Sequence, residues 1–325
     1  MKISAIVPCY NEEENLDAAY EAFTQALSPY EDYEIIFTDD GSTDRSLEII
    51  KSFAARDNRV KYIAFSRNFG NCAAFRIGYR YAVHDWCIQY DCDLQSPPEE
   101  SYKLIEKAQE GYDVVFGIRR DRDDPLYRVW GTKIQQFIAG TLFGIEVPVG
   151  ASVFRVMRTA VARDVINYPA RAQYFIVTVP KVTHNYISVE TDHHARRAGE
   201  SKWTLYKMFQ HSFDLFLGFS TMPLTALWLL AGIAVFTAMV GGFIGSEAVA
   251  YAGAAIAVGN LFGLAIMGEY IKRPFSSNLP YKQVYVRESN IPACQTDFNT
   301  RDLLQYGMPA PVSTPTLVAS GEGKR

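Results

Sequence analysis

The sequence predicts an α/β domain built on a mainly parallel sheet, followed by an amphipathic interfacial helix and a two-helix transmembrane hairpin. Three observations predict it. Residues 1 to about 120 alternate short apolar runs of strand length with stretches of helical spacing. A polar cluster follows each of the first four runs, and two windows of the C-terminal third carry no charge.

The strands are "KISAIVPCY", "YEIIFTDD", "VKYIAFS", "WCIQYD" and "YDVVFGI", all rich in β-branched and aromatic residues that suit a pleated, buried surface. Between them, "EEENLDAAYEAFTQAL", "DRSLEIIKSFAARD", "CAAFRIGYRYAV" and "PPEESYKLIEKAQEG" place apolar residues at helical spacing, the last opening on a proline pair suited to a helix start. Strand and helix alternating in this way imply right-handed βαβ units and a mainly parallel sheet. In such a sheet, ligands bind beyond the carboxyl ends of the strands. The clusters "PCYNEEE", "DDGSTD", "SRNFG" and "DCDLQ" fall there, so one face of the domain collects most of the unusual chemistry.

Composition narrows the classes. The chain has 325 residues, enough to bury a sizeable core without a disulfide or metal staple. Its formal net charge is -4, which argues against a nucleic-acid partner bound by phosphate neutralisation. The five cysteines, Cys9, Cys72, Cys87, Cys92 and Cys294, are scattered and include no CxxC pair, so neither a zinc ribbon nor a disulfide framework is indicated. The opening "MKISAIVPCYNEEEN" is a strand and turn, not a signal peptide, because Pro8 and three glutamates interrupt the apolar run.

The C-terminal third differs. Leu215 to Ser246 and Ala248 to Gly268 are free of charged residues, each with about 20 predominantly apolar residues, enough helix to span a bilayer. Only "GSEAV" separates them, so they form a hairpin. Lys202 and Lys207 precede the first span, and Lys272, Arg273, Lys282 and Arg287 follow the second. By the positive-inside rule both ends are cytoplasmic. Just before the first span, Trp203, Tyr206, Phe209, Phe213 and Phe216 recur at steps of three or four beside Lys202, Lys207 and His211, the pattern of a helix lying among lipid headgroups. The expected division is a cytoplasmic catalytic domain over 1–200, the interfacial helix over 201–221, two transmembrane helices over 222–271 and a cytoplasmic C-terminal segment over 272–325, disordered toward its end.

The stretch "WCIQYDCDLQSPPEE" sets Asp91 and Asp93 one residue apart where an apolar run ends. If extended geometry continues, the two carboxylates face one direction. They would repel each other unless a cation sat beside them, and a hard divalent ion, Mg²⁺ or Mn²⁺, meets that need while bridging to substrate phosphates. Cys92, between them, reads as a small side chain turned into the core. His193 and His194 are adjacent, so they point apart and make a poor metal pair. Asp39, Ser42 and Asp44 read as a helix-capping turn, leaving Asp40 as the functional carboxylate of that loop.

Taken in order, "VPCYNEEENL", "DDGSTDRS", "SRNFG" and "DCDLQSPPE" resemble family 2 glycosyltransferases of the GT-A fold, a Rossmann-like arrangement. Adding "RRAGESKW", "FSTMPL" and "MGEYIKR" narrows the resemblance to the polyisoprenyl-phosphate glycosyltransferases, over residues 1 to about 290. The resemblance implies that Pro8, Tyr10, Asn11 and Glu12 line the nucleoside pocket, with Asp40 reaching the base. It implies that Asp91, Asp93 and Gln95 hold the metal on the donor diphosphate. Arg119, Arg128, Arg196 and Lys202 become the cationic set around the acceptor phosphate and the diphosphate. The tail after Glu288 is not covered.

Three positions depart from the family pattern. Asn71 stands where many relatives have lysine, Val153 where many have an acid before Phe154 and Arg155, and Gln173 where a second arginine often follows Arg171. They leave the metal set intact and bear on acceptor and sugar specificity.

The expectation is therefore an inverting transfer of a hexose from a nucleotide diphosphate sugar to undecaprenyl or another polyprenyl phosphate at the cytoplasmic face of a bacterial inner membrane. UDP-glucose is the leading donor because that activity is common among relatives. The expected partners are the nucleotide sugar, the polyprenyl phosphate and the lipid bilayer, with a homo-oligomer left open. The alternatives are a glycosyltransferase using another glycolipid or polysaccharide acceptor, and a non-catalytic nucleotide-sugar-binding membrane protein.

Overall fold

The computed structural model describes residues 1–119, 137–142, 144–148, 151–168, 174–192, 219–220, 222–277, 284–295 and 297. The first half follows the expected alternation: β1 (Lys2–Cys9), α1 (Leu16–Leu27), β2 (Asp32–Asp39), α2 (Ser46–Arg56), β3 (Val60–Phe65), α3 (Asn71–Tyr81), β4 (Trp86–Gln89), α4 (Ser101–Gln109) and β5 (Val114–Arg119). The proline pair does open a helix, as a single 3-10 turn over Pro98–Glu100 that runs into α4.

The second half adds elements that local patterning does not reveal, β6 (Ala151–Arg158), α5 (Thr159–Asn167), α6 (Phe175–Val182), β7 (Tyr186–Thr191) and β8 (Val286–Ser289), and two helices where the charge-free windows predict them, α7 (Met222–Ile244) and α8 (Ser246–Ser277). The eight strands form one sheet in the order β7-β5-β6-β4-β1-β2-β3-β8. β6 runs antiparallel between β4 and β5, and β8 runs antiparallel along the outer edge of β3. The sheet is thus mainly parallel, as expected, but β5 is separated from β4 by a strand that arrives later in the chain.

Period-two alternation distributes the core to both faces. Ile3, Ala5, Val7 and Cys9 of β1 pack with α1, α2 and α4 through Phe23, Phe53 and Leu104. Ile6 of β1 and Ile36 of β2 turn to the other face, against Phe75 and Tyr79 of α3 and Phe175 of α6. Each fully buried large side chain, such as Phe23, Phe37 or Phe116, contributes roughly 1.5–3 kcal/mol. With helices on both faces of the sheet, ligands are expected at the carboxyl ends of the strands.

The helices α7 and α8 form a hairpin broken at Gly245, whose φ of 142° only glycine adopts readily. They pack together closely enough that a Cβ on Gly263 would lie 3.6 Å from Leu227. Leu229, Phe236, Phe243, Val258 and Leu261 are exposed. Among the described residues no helix is long and apolar enough to cross a membrane, so the fold leaves the transmembrane hairpin unestablished. The interfacial helix over 201–221 lies almost wholly outside the described residues, as does the tail beyond 297. Part of the segment after the hairpin, Val286–Ser289, joins the sheet as β8.

Candidate active site

The loop after β1 is held by the loop after β2. Asn11 adopts a left-handed φ of 54°, a strained conformation for a side chain-bearing residue. Its amide donates to Ser42 Oγ at 3.0 Å and its Oδ1 accepts from the Thr43 amide at 2.8 Å. The Glu12 amide donates to Ser46 Oγ at 2.9 Å, while Glu12 Oε2 accepts from Asn15 Nδ2 at 2.7 Å. Pro8 pairs with Thr38 of β2 and lies beyond the last β1–β4 pair, Ile6 with Gln89, where a missing N–H costs no bond to β4. Tyr10 is half-buried at the same edge.

Asp44 ties both loops, accepting from the Ser46 amide at 3.0 Å and the Glu13 amide at 3.2 Å. Burial pushes its carboxyl up, but hydrogen bonds from Ser46 and Glu13 outweigh this and hold it below its ordinary value. The cap residue of α2 is Arg45, which makes no side-chain cap bond; Asp44, one residue earlier, forms a local turn to Ser46 and ties the β1 loop to it.

The two aspartates ending "FTDD" have different fates. Asp40 is 3% exposed, and its two oxygens accept from the amides of Phe69 and Gly70 at 2.6 and 2.8 Å. Burial pushes its carboxyl up, and those amides offset this only in part. Asp39 is fully buried on the opposite face. Its Oδ1 accepts from the Ser42 amide at 3.3 Å, while its Oδ2 has no hydrogen-bond partner among the described residues. Burial also pushes Asp39 up, opposed by Ser42 and by the charge of Arg287. The sequence alone makes Asp39 part of a capping turn. Its uncompensated oxygen, fully buried at the carboxyl end of β2, marks it as a second candidate for the pocket, and no local pattern announces that.

The acidic pair departs from the extended geometry expected of it. β4 ends at Gln89 and the chain turns, with the Leu94 amide donating to the Asp91 carbonyl at 3.3 Å. Leu94 has φ 53°, the second left-handed non-glycine residue of the described chain. Asp93 Oδ1 accepts from the Gln95 amide at 3.1 Å. A tight turn, and not a continued strand, carries Asp91 and Asp93. Cys92 turns into the core as expected, its Sγ 3.5 Å from the Pro8 carbonyl. The neighbouring Cys9 thiol and burial both push Cys92 well up, so it stays a thiol.

No group of three or more His, Cys, Asp or Glu gathers as a metal site among the described residues. Two carboxylates and the Gln95 amide on one turn do fit a hard divalent ion whose remaining ligands come from phosphates and water. Of the expected cationic set, Arg119 ends β5 by its backbone, its side chain lying outside the described residues, as do Arg128, Arg196 and Lys202 entirely. So do Arg171, Gln173, His193 and His194. Val153 is 38% exposed on β6, beyond the end of β4. The structure also discloses Arg155, buried next to Gln89, which the sequence shows only as part of "SVFR". A cleft of about 670 Å³ lined by Tyr20, Arg56, Asp57 and Arg59 leads into the start of β3, at the opposite end of the sheet from these loops.

An open, mainly parallel sheet with interlocked polar loops and an acidic turn at its carboxyl ends is an α/β architecture in which ligands are received at the strand ends. The glycosyl transferase family 2 profile matches residues 4–166. The chain belongs to glycosyl transferase family 2. It is 31% identical over 304 residues to an undecaprenyl-phosphate 4-deoxy-4-formamido-L-arabinose transferase of Shewanella sediminis, covering 88% of this chain and 92% of the relative. It is 34% identical over 227 residues to the uncharacterized glycosyltransferase YkcC of Bacillus subtilis, covering 69% and 70%. Among solved structures it is similar to S. aureus TarS 1-349 in complex with UDP-GlcNAc, with 18% identity, TM-score 0.46 and coverage of 67% and 66%. The resemblance drawn from the motifs holds at the level of the family, and relatives of the polyprenyl-phosphate branch are among its matches.

Proposed function

We propose that this glycosyltransferase moves a sugar from a nucleotide diphosphate donor to a polyprenyl phosphate at a membrane surface. The observation that carries the reading is the acidic turn Asp91–Asp93 at the carboxyl end of β4, in a family 2 chain whose neighbouring loops after β1 and β2 are interlocked. The loops bearing Pro8, Tyr10, Asn11, Glu12 and Asp40 receive the nucleoside. Asp91 and Asp93, with Gln95, hold Mg²⁺ or Mn²⁺, which when bound neutralises charge on the departing diphosphate. Arg119, Arg128, Arg196 and Lys202 gather the acceptor phosphate against the donor.

A phosphate acceptor is ionised near neutral pH, so its attack on the anomeric carbon needs no strong general base. Val153 in place of an acid is compatible with that. In-line attack inverts the anomeric centre, so an α-linked donor gives a β-linked sugar phosphate.

The membrane part of the reading rests on the charge-free windows 215–246 and 248–268, read as a transmembrane hairpin that holds the enzyme where its lipid acceptor lies. The pairing of β8 with β3 supports one topology: the chain on both sides of the hairpin belongs to one sheet, so both ends share one side of the bilayer. The flanking lysines and arginines make that side the cytoplasm of a bacterial inner membrane.

Two donors are in view. UDP-glucose is the expectation from the commonness of that activity, and 4-deoxy-4-formamido-L-arabinose enters because several relatives bear it in their names. One sugar is a hexose and the other a pentose. The test uses membranes containing the protein, undecaprenyl phosphate, Mg²⁺ or Mn²⁺ and a panel of labelled UDP-, GDP- and dTDP-sugars that includes both candidates. Lipid-linked label from one donor, abolished by Asp93→Asn, establishes the reaction and the sugar together. Metal-dependent nucleotide binding without label from any donor moves the reading to another acceptor or to a non-catalytic binder.

A further inference from the structure

The strand β8 reaches the catalytic sheet from beyond the hairpin, since α8 ends at Ser277 and β8 begins at Val286. It is anchored along its length. Asn290 accepts from the Tyr62 amide at 2.7 Å and donates to the Val60 carbonyl at 3.1 Å. Glu288 pairs with Lys51 at 2.5 Å. Further on, Ile291 and Cys294 are buried in the core beside α3, and Asp297 accepts from Arg80 and Tyr81 at 3.1 and 2.8 Å.

At its other end the segment meets the loop that opens α3. The Ser66 amide donates to the Tyr285 carbonyl at 2.8 Å, and the Tyr285 ring lies 6.3 Å from the ring of Phe69. Phe69 also meets Phe65 edge-on at 5.9 Å. The Phe69 amide is one of the two that hold Asp40. On the side of β2 this loop has no slack, because a Cβ on Gly41 would stand 2.4 Å from the Arg67 carbonyl carbon. Tyr285 thus closes on the loop from the sheet edge while the backbone at Gly41 blocks it from within.

We propose that Tyr285 is a positioning residue of the donor pocket: the strand returning from the hairpin braces the 66–70 loop and, through Phe69, sets the Asp40 carboxylate for the nucleoside. The inference rests on the reading of Asp40 as a pocket residue. Arg287 of the same strand adds to it, since its charge acts on Asp39. The nucleotide site is then completed by chain that follows the hairpin, although every recognisable donor motif precedes it.

The test titrates UDP and GDP, with Mn²⁺, into the purified full chain and its Tyr285→Ala, Tyr285→Phe, Asn290→Ala and Asp40→Asn variants. Tyr285→Ala should weaken the diphosphate that binds by about fivefold, or roughly 1 kcal/mol, while Tyr285→Phe stays within about twofold because the ring and not the hydroxyl makes the contact. Asn290→Ala loosens the far end of β8 without touching the 66–70 loop and should also stay within about twofold. Equal weakening by Asn290→Ala would reduce Tyr285 to general support of the strand and overturn the proposal. Parent-like binding by Tyr285→Ala, with Asp40→Asn weakened, would overturn the brace and leave the pocket standing. Should Asp40→Asn bind like the parent, or neither diphosphate bind, the pocket reading itself falls and the brace with it.

Discussion

The guanidinium of Arg155 donates twice to one oxygen of Gln89, from Nε at 3.0 Å and Nη2 at 2.6 Å. Tyr79 donates to that same oxygen at 2.8 Å, and Arg155 stacks over Phe175 at 4.7 Å. Arg155 is 3% exposed. A buried cation is therefore satisfied by an amide and an aromatic face at the last residue of β4, directly before the acidic turn.

Replacing that arginine separates shape from charge. Arg155→Lys should cost roughly 2–4 kcal/mol, because an ammonium cannot reproduce the two parallel donors and stays buried. Arg155→Met removes the charge, leaves Gln89 bonded to Tyr79, and should cost less. Urea denaturation midpoints of the two variants check the order.

At Gly41, conformation and space act together. Its φ is 72°, and a Cβ would stand 2.4 Å from the backbone of Arg67. Asparagine tolerates positive φ but not that contact, so Gly41→Asn and Gly41→Ala should both destabilise by at least about 2 kcal/mol. A thermal melt in which Gly41→Asn matches the parent would show that only the dihedral matters.

For the acidic turn, stability and activity should part. Asn at 93 keeps an Oδ1 to accept from the Gln95 amide, so Asp93→Asn should melt near the parent while transfer falls by at least about 10²-fold. Asp93→Ala loses the turn as well and should show both defects, measured as lipid-linked label and melting temperature.

Acid should expose the pairing of Asp57 with Arg59. The hydrogen bonds from Arg59 hold the Asp57 carboxyl down to about 2, from an ordinary 3.8. A depressed carboxylate adds stability above its unfolded pKa and loses it as pH falls through the folded one. The parent should therefore exceed Asp57→Asn in stability at about pH 6, and the gap should close between about pH 4 and 2. Melting temperatures across that range give the result.

Much of the site is legible in the sequence. The polar clusters that end β1, β2 and β4 are local features, and the rule that ligands sit at carboxyl ends of parallel strands makes them one face. Asn11, Glu12 and Asp44 lie where that rule puts them. Asp39 does not stand out in the sequence, because what distinguishes it from Asp40 is which face of β2 each side chain takes and which amides come to meet it. The amides that meet Asp40 belong to Phe69 and Gly70, about thirty residues away, whereas Asp39 receives only that of Ser42. Arg155 is likewise visible only as part of a short run, since its burial is created by Gln89, Tyr79 and Phe175 from three other elements.

The sequence by itself determined the alternating elements of the first half, the carboxyl-end loops with their acidic pair, and the charge-free stretch of the last third. Each follows from periodicity or charge within a short window, where side-chain spacing alone dictates which face is apolar. Only the tertiary structure decided that β6 inserts antiparallel between β4 and β5, that β8 returns to the edge of β3, and that a turn at Leu94 carries the two aspartates. Strand order and direction depend on hydrogen bonds between residues far apart in the chain. A run of apolar residues specifies that it will be buried in a sheet, but its neighbours are chosen by the packing of the whole domain.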